Sequence, residues 1–180
     1  YRLFIDAPVG EAPAEGWPVV YCTDGNENFV VVSQVVRRMS RSQSNAIVVG
    51  IGYADESRQD YLKRRSFDLT FPASDAWVRD KLTILPGHEF GGAEQFLDFL
   101  TNELRPWLST QYKIDINRQT LVGHSFGGLF GLYAATTHPT AFSGYLAISP
   151  SLWWADGAML QIDEERFTRI SELSSKPRFF

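Results

Sequence analysis

The stretch LVGHSFGGL, residues 121–129, restricts what this chain can fold into more than any other part of it. Its Gly123-His124-Ser125-Phe126-Gly127 core has the form G-x-S-x-G. The apolar run QTLVGH (119–124) precedes it and a Leu-, Ala- and Gly-rich run from Phe126 to Thr137 follows. A strand that enters a helix through so short a turn must strain one residue, and it needs small neighbours where strand and helix close on each other. Gly123, Gly127 and Gly128 are placed to be those neighbours. The pattern is that of a nucleophile elbow, with Ser125 at its apex as the reactive hydroxyl.

The rest of the chain supplies a sheet for such a turn. YRLFID (1–6) alternates bulky apolar and polar residues and reads as a strand. WPVVYC (17–22) and AIVVGIG (46–52) are short apolar runs of the kind that fill buried parallel strands. Between them Phe29, Val32, Val35, Val36 and Met39 recur at helical spacing, which predicts a helix over 27–41. Phe96, Leu100, Leu104, Trp107 and Leu108 share one face of a helix expected over 93–110, with Pro106 as a source of a kink. GYLAIS (144–149) reads as a strand, 156–173 as a helix and the terminal RFF as the start of another strand. Residues 53–92 show no sustained period and are expected to be irregular. Strands alternating with helices indicate an α/β fold with a mostly parallel sheet flanked by helices. We read residues 1–180 as a single domain of that fold, cut at both ends because the chain opens and closes in mid-strand.

Composition narrows the function classes. A 44% hydrophobic share with 21% charged residues and a net charge of −4 is that of a globular protein without the basic footprint of a nucleic-acid binder. Cys22 is the only cysteine, so no disulfide framework or cysteine-rich zinc site is expected. No apolar run approaches the ~20 residues of a membrane span. Compartment, cytoplasmic or periplasmic, and oligomeric state are left open at this point.

A serine that attacks a carbonyl needs donors for the oxyanion and a general base. The backbone N–H of Phe126 opens the helix and is one expected donor. The loop Asp24-Gly25-Asn26 after an earlier parallel strand is the place for a second, from the amide of Asn26 or of Gly25; the alternative is a turn that only reverses the chain. None of the three histidines is placed to be the base. His124 should point to the opposite face of its strand, and His88 precedes the serine in the chain. His138 ends the elbow helix, ~18 Å from Ser125 at the helical rise. In hydrolases with this elbow the acid and the histidine follow the serine, so both are expected beyond residue 180.

Several further motifs in order, PVVYCTDGN, VVGIGY, RSFDLTFP, GGAEQFLDFLTNELRPWL and LVGHSFGGLFGLYAATTHPTAFSGYLAISPSLWW, resemble the putative-esterase family of α/β-hydrolases (esterase D-like). Within it they are most similar to the enterobactin and salmochelin siderophore esterases. The resemblance implies an α/β-hydrolase fold whose C-terminal part is missing from this chain. It also implies serine-dependent hydrolysis of a small-molecule carboxylic ester, such as a ferri-siderophore trilactone, without cofactor or metal. It makes Arg65 a candidate contact for an anionic or catecholate group, the alternative being an ion pair with Asp68. Trp153 and Trp154 become either aromatic walls at the site's mouth or core residues. Two other functions stay open: an esterase or acyltransferase for formylglutathione, feruloyl or acetyl esters, and a non-catalytic binding module on the same scaffold.

Overall fold

A computed structural model describes residues 1–39, 45–54, 57–83, 85–161, 172–173 and 176–180. Six strands form one sheet: β1 (Arg2–Asp6), β2 (Trp17–Cys22), β3 (Ile47–Gly52), β4 (Ile114–His124), β5 (Gly144–Ile148) and β6 (Arg178–Phe179), in the order β1-β3-β2-β4-β5-β6. Only β1 is antiparallel to its neighbour; the other pairs run parallel. The loops that leave β2, β3, β4 and β5 therefore emerge at one edge of the sheet, where parallel α/β proteins build their sites.

Helix α1 (Gly25–Met39) lies against one face. Phe29 sits on Gly50, where an added Cβ would come within 2.9 Å of the Phe29 Cβ, and it stacks on Phe4 at 5.5 Å. The main core includes Val19, Tyr21, Val49, Ile51, Leu121 and Tyr145 of the sheet. Phe96, Leu100, Leu104 and Leu108 join it from the long helical run after residue 92, with Leu129, Phe130 and Ala134 of α6 (Phe126–Thr137). Helix α6 is buried along most of its length, which is why its sequence is apolar without a helical period.

Three expectations needed correction. The stretch 53–92 is not irregular throughout, because α2 (Arg58–Asp68) and α3 (Asp75–Lys81) lie within it. Both are short helices that present few apolar residues, so periodicity could not reveal them. Their caps are visible in the sequence: the Ser57 hydroxyl accepts from the Asp60 N–H at 3.1 Å, and the Ser74 hydroxyl from that of Trp77 at 3.2 Å. The helix over 93–110 is one continuous run, but α4 (Ala93–Asp98) and α5 (Arg105–Gln111) are joined through a widened π-type turn, Phe99–Leu104. Pro106 has no N–H for the carbonyl four residues earlier and its ring would crowd that oxygen; the wider turn relieves both problems.

The third correction concerns the helix expected over 156–173. Residues 162–171 of that span lie outside the described residues. Before them, Trp154–Gln161 forms a 3-10 segment interrupted by left-handed backbone at Ala155, Asp156 and Gly157. The Asp156 carboxylate accepts the Trp77 indole N–H at 2.9 Å, which ties this bend to α3. Strand β4 also begins earlier than expected, at Ile114, because a register shift against β2 absorbs residues 115–118, three of which are polar.

Candidate active site

Ser125 joins β4 to α6 with φ 58° and ψ −115°, a conformation that L-residues rarely adopt. It is held from both sides. Its N–H donates to the Ile148 carbonyl at 3.0 Å, and its own carbonyl accepts from Leu129 at 2.9 Å and from Ser151 at 3.1 Å. Gly123 could not carry a side chain, since a Cβ there would strike the Gly127 carbonyl; a Cβ on Gly127 would strike the Thr23 hydroxyl. The second approach is informative because it places the loop after β2 directly against the start of α6.

Backbone strain concentrates here. Among the described residues the non-glycine residues with positive φ are Asp24, Ser125, Ser149, Ala155 and Asp156, and all of them follow β2, β4 or β5. Each costs on the order of 1–3 kcal/mol and persists only where the surroundings over-determine it. One edge of the sheet is thus held in an unfavourable backbone geometry by the rest of the fold.

The loop after β2 is fixed by polar groups. The Asp24 carboxylate is buried and accepts from Arg65 Nε at 2.7 Å and from the Tyr61 hydroxyl at 3.0 Å, both on α2. Burial pushes the Asp24 carboxyl above the ordinary carboxylate range, while Arg65 and Tyr61 pull it back toward the charged form. Gly25 opens α1 packed so closely on β3 that a Cβ would come within 2.7 Å of the Gly50 carbonyl carbon. The Asn26 side chain brackets the backbone of Tyr53 after β3, accepting from its N–H at 2.8 Å and donating to its carbonyl at 3.1 Å. Asn26 thus ties the ends of two adjacent strands together.

Arg65 does not pair with Asp68. It pairs with Asp24, its side chain is 15% exposed, and its guanidinium lies 5.3 Å from the centre of the Phe126 ring. Asp68 instead faces the hydroxyls of Tyr1 and Tyr53. The tryptophan pair divides. Trp153 is 55% exposed, its ring 5.8 Å from that of Phe126 and stacked on Trp77. Trp154 is fully buried, with its indole N–H donated to the Phe71 carbonyl at 3.0 Å. Of the two alternatives, walls of a mouth or core, Trp154 takes the core one and has no surface to offer a ligand; it is the floor on which Trp153 and Phe126 rest.

None of the three histidines is hydrogen-bonded to the Ser125 hydroxyl among the described residues. His124 is exposed on β4. His88 Nδ1 is 2.8 Å from the Ser66 hydroxyl, and burial, with Lys63 nearby, holds its pKa below the ordinary value. His138 Nε2 lies 3.4 Å from a Glu94 carboxylate oxygen. Among the described residues the side chain bonded to the Ser125 hydroxyl is that of Ser151, oxygen to oxygen at 3.2 Å. Sequence reasoning missed Ser151. Its signal was position: it follows β5, the parallel neighbour of the strand that carries the elbow. Among the described residues no group of three or more His, Cys, Asp or Glu side chains is placed to hold a metal ion, and no helix is long and apolar enough to cross a membrane.

Comparison with known proteins places this geometry among relatives. A family profile described as "Putative esterase" matches residues 1–178. The chain is 34% identical to the ferri-bacillibactin esterase BesA of Bacillus subtilis over 98% of its own length and 62% of that protein. It is 37% identical to the siderophore triacetylfusarinine C esterase of Aspergillus fumigatus, over 83% of this chain and 48% of the relative. The chain therefore spans about half to two thirds of the length of the curated relatives it matches. Among solved structures, the BES protein from Bacillus cereus superposes with a TM-score of 0.82 at 33% identity, covering 96% of this chain and 64% of that one. The enterobactin hydrolase IroE in complex with DFP gives 0.73 at 26% identity, covering 97% and 66%. These likenesses bear out the α/β-hydrolase fold with a mostly parallel sheet.

Proposed function

The chain belongs to the family described as "Putative esterase", and from that premise we propose that its protein is a serine hydrolase of siderophore esters with Ser125 as nucleophile. The observation that carries this reading is the left-handed Ser125 at the β4–α6 junction, at the edge of the sheet where the other strained residues gather. Such a turn lifts the hydroxyl clear of its own helix and leaves the first N–H groups of α6 unpaired beside it.

In this reading the Ser125 oxygen attacks the ester carbonyl, and the carbonyl π pair moves onto its oxygen. The Phe126 N–H receives that charge together with the amide of Asn26 or Gly25 from the loop that Asp24, Arg65 and Tyr61 hold in place. The proton leaves Ser125 for an imidazole outside these 180 residues, since His88 and His138 have other partners and His124 is exposed on β4 without a bond to the Ser125 hydroxyl. Water then releases the acyl group. Phe126 has Arg65 on one side and the exposed Trp153 on another. A flat, electron-rich acid such as a catecholate, with a ring for the indole and an anionic oxygen for the guanidinium, suits that pairing. Two relatives named as esterases of siderophores support this substrate class.

The test uses the full-length protein with a fluorophosphonate probe, a p-nitrophenyl ester and a siderophore trilactone. Wild type should label at Ser125 and hydrolyse both esters, and Ser125→Ala should lose about 10³-fold or more in kcat. Equal rates for the two proteins would sink the nucleophile assignment. Preference for simple acetyl esters over the trilactone would remove the substrate class and leave the mechanism standing.

A further inference from the structure

The Ser125 hydroxyl has one proton to give, and a base that activates it must take that proton. The Ser151 hydroxyl, 3.2 Å away, is then left as the donor of their shared hydrogen bond. Ser151 is 6% exposed, so its hydroxyl is largely withdrawn from water. Nothing about its position is loose. Its N–H is bonded to the Ser125 carbonyl at 3.1 Å, and its carbonyl accepts from Trp154 at 3.1 Å. Trp154 is itself fully buried. Helix α6 packs so tightly on this loop that a Cβ at Gly128 would lie 3.0 Å from the Ile148 carbonyl and 3.1 Å from Pro150 Cα. The fold thus aims one buried O–H at the oxygen of the reactive serine.

We propose that Ser151 is a second catalytic hydroxyl, which stabilises the Ser125 oxygen when it departs from the acyl-enzyme. The proposal rests on Ser125 being the nucleophile. A donor to the Ser125 oxygen helps the attack little, because the free serine hydroxyl already accepts that bond before the reaction begins. In the acyl-enzyme the same oxygen is an ester oxygen and a poor acceptor, so the donor helps deacylation more. Water adds to the acyl carbonyl and its proton passes to the imidazole. When the tetrahedral intermediate collapses, the bond between carbon and the Ser125 oxygen breaks and its electron pair stays on that oxygen, which takes the proton back from the imidazolium. Negative charge grows there before the proton arrives, and the Ser151 O–H, already pointed at it, strengthens as it grows while keeping its own proton.

The prediction is a split between the two chemical steps. In the full-length protein, with a p-nitrophenyl ester followed by stopped flow, Ser151→Ala should lower kcat about 10- to 100-fold. KM should fall with it, so that kcat/KM, which reports acylation, stays within about threefold of wild type. A burst of p-nitrophenol equal to the enzyme concentration should appear as the acyl-enzyme accumulates. Ser151→Cys, close in shape but a weak donor, should show the same pattern and guards against a folding defect in the alanine variant. A wild-type kcat in both variants would overturn the proposal, as would a parallel loss of kcat and kcat/KM without a burst, which is the mark of a packing role. Ser125→Ala is run beside them. If it is inactive and the Ser151 variants are unaffected, only this proposal fails; if it keeps wild-type turnover, the nucleophile assignment fails first.

Discussion

Two loops flank Ser125, and they are held by different balances of polar and apolar contacts. The loop after β2 is fixed by charge and hydrogen bonds: Asp24 to Arg65 and Tyr61, Asn26 to the backbone of Tyr53. The loop after β5 is anchored by an apolar mass, Trp154, which meets Phe126, Trp77 and Phe90 at ring separations of 5.6, 5.0 and 5.2 Å. The difference follows from what each loop must present. Backbone amides aimed at a developing charge need directional restraints, which hydrogen bonds supply and apolar contacts do not. An aromatic surface needs only a firm floor, which burial supplies without direction. A buried ion pair is a poor source of net stability, because desolvating two charges offsets their attraction; here its consequence is the geometry of the loop after β2.

Three experiments bear on this contrast, the largest effect first. Trp154→Ala should cost about 3–5 kcal/mol of unfolding free energy, the usual range for emptying a large aromatic site in a core. A urea midpoint close to wild type would mean that the loop after β5 does not depend on its anchor. Asp24→Asn should cost about 2–4 kcal/mol, because it leaves the largely buried Arg65 charge without its ionic partner. Adding Arg65→Met to it should recover most of that loss, whereas hydrolysis should not recover, since the loop's amides would still lack their clamp. Recovery of both would show the ion pair to be dispensable for geometry.

The smallest effect is a control far from both loops. Asp115, at the bulge of β4, accepts from Arg118 Nε at 2.6 Å and from the Asn117 N–H at 2.8 Å. The hydrogen bond from Arg118, chiefly, holds its carboxyl below the ordinary value. A depressed folded-state pKa stabilises above the unfolded value of about 3.9 and loses that contribution as pH falls through the folded value. Asp115→Asn should therefore show a shallower acid limb below about pH 4, with no change in the esterase rate at neutral pH. Denaturant titrations at successive pH values measure it, and an acid limb as steep as wild type would discount the interaction.

Much of the framework was legible in the chain because the signals were local. The five longer strands, β1 to β5, the elbow and helix α6 were each announced by a run of side chains with their own period or by glycines at fixed offsets. Helices α2 and α3 showed only their serine caps, since they present few apolar residues and are held by contacts made at a distance, such as the bond between Tyr61 and Asp24, 37 residues apart in sequence. The bend at Ala155–Gly157 escaped although Asp156-Gly157 is a turn dipeptide, because that pair also reads as the start of a helix; the bond from Trp77 to Asp156 ties the bend to α3.

The site shows the same division. The residues from 119 to 137 by themselves determined a strand, a strained serine and a helix, because sterics and small neighbours act within a few residues of the turn. Which groups face that serine was decided only when the parallel sheet brought the ends of β2, β3, β4 and β5 to one edge. The tertiary structure turned Arg65 from Asp68 to Asp24, separated Trp153 from Trp154 and set the Ser151 hydroxyl beside Ser125. Residues 26 positions apart meet there through strand pairing and core packing, which depend on the whole chain and leave no mark in either neighbourhood alone.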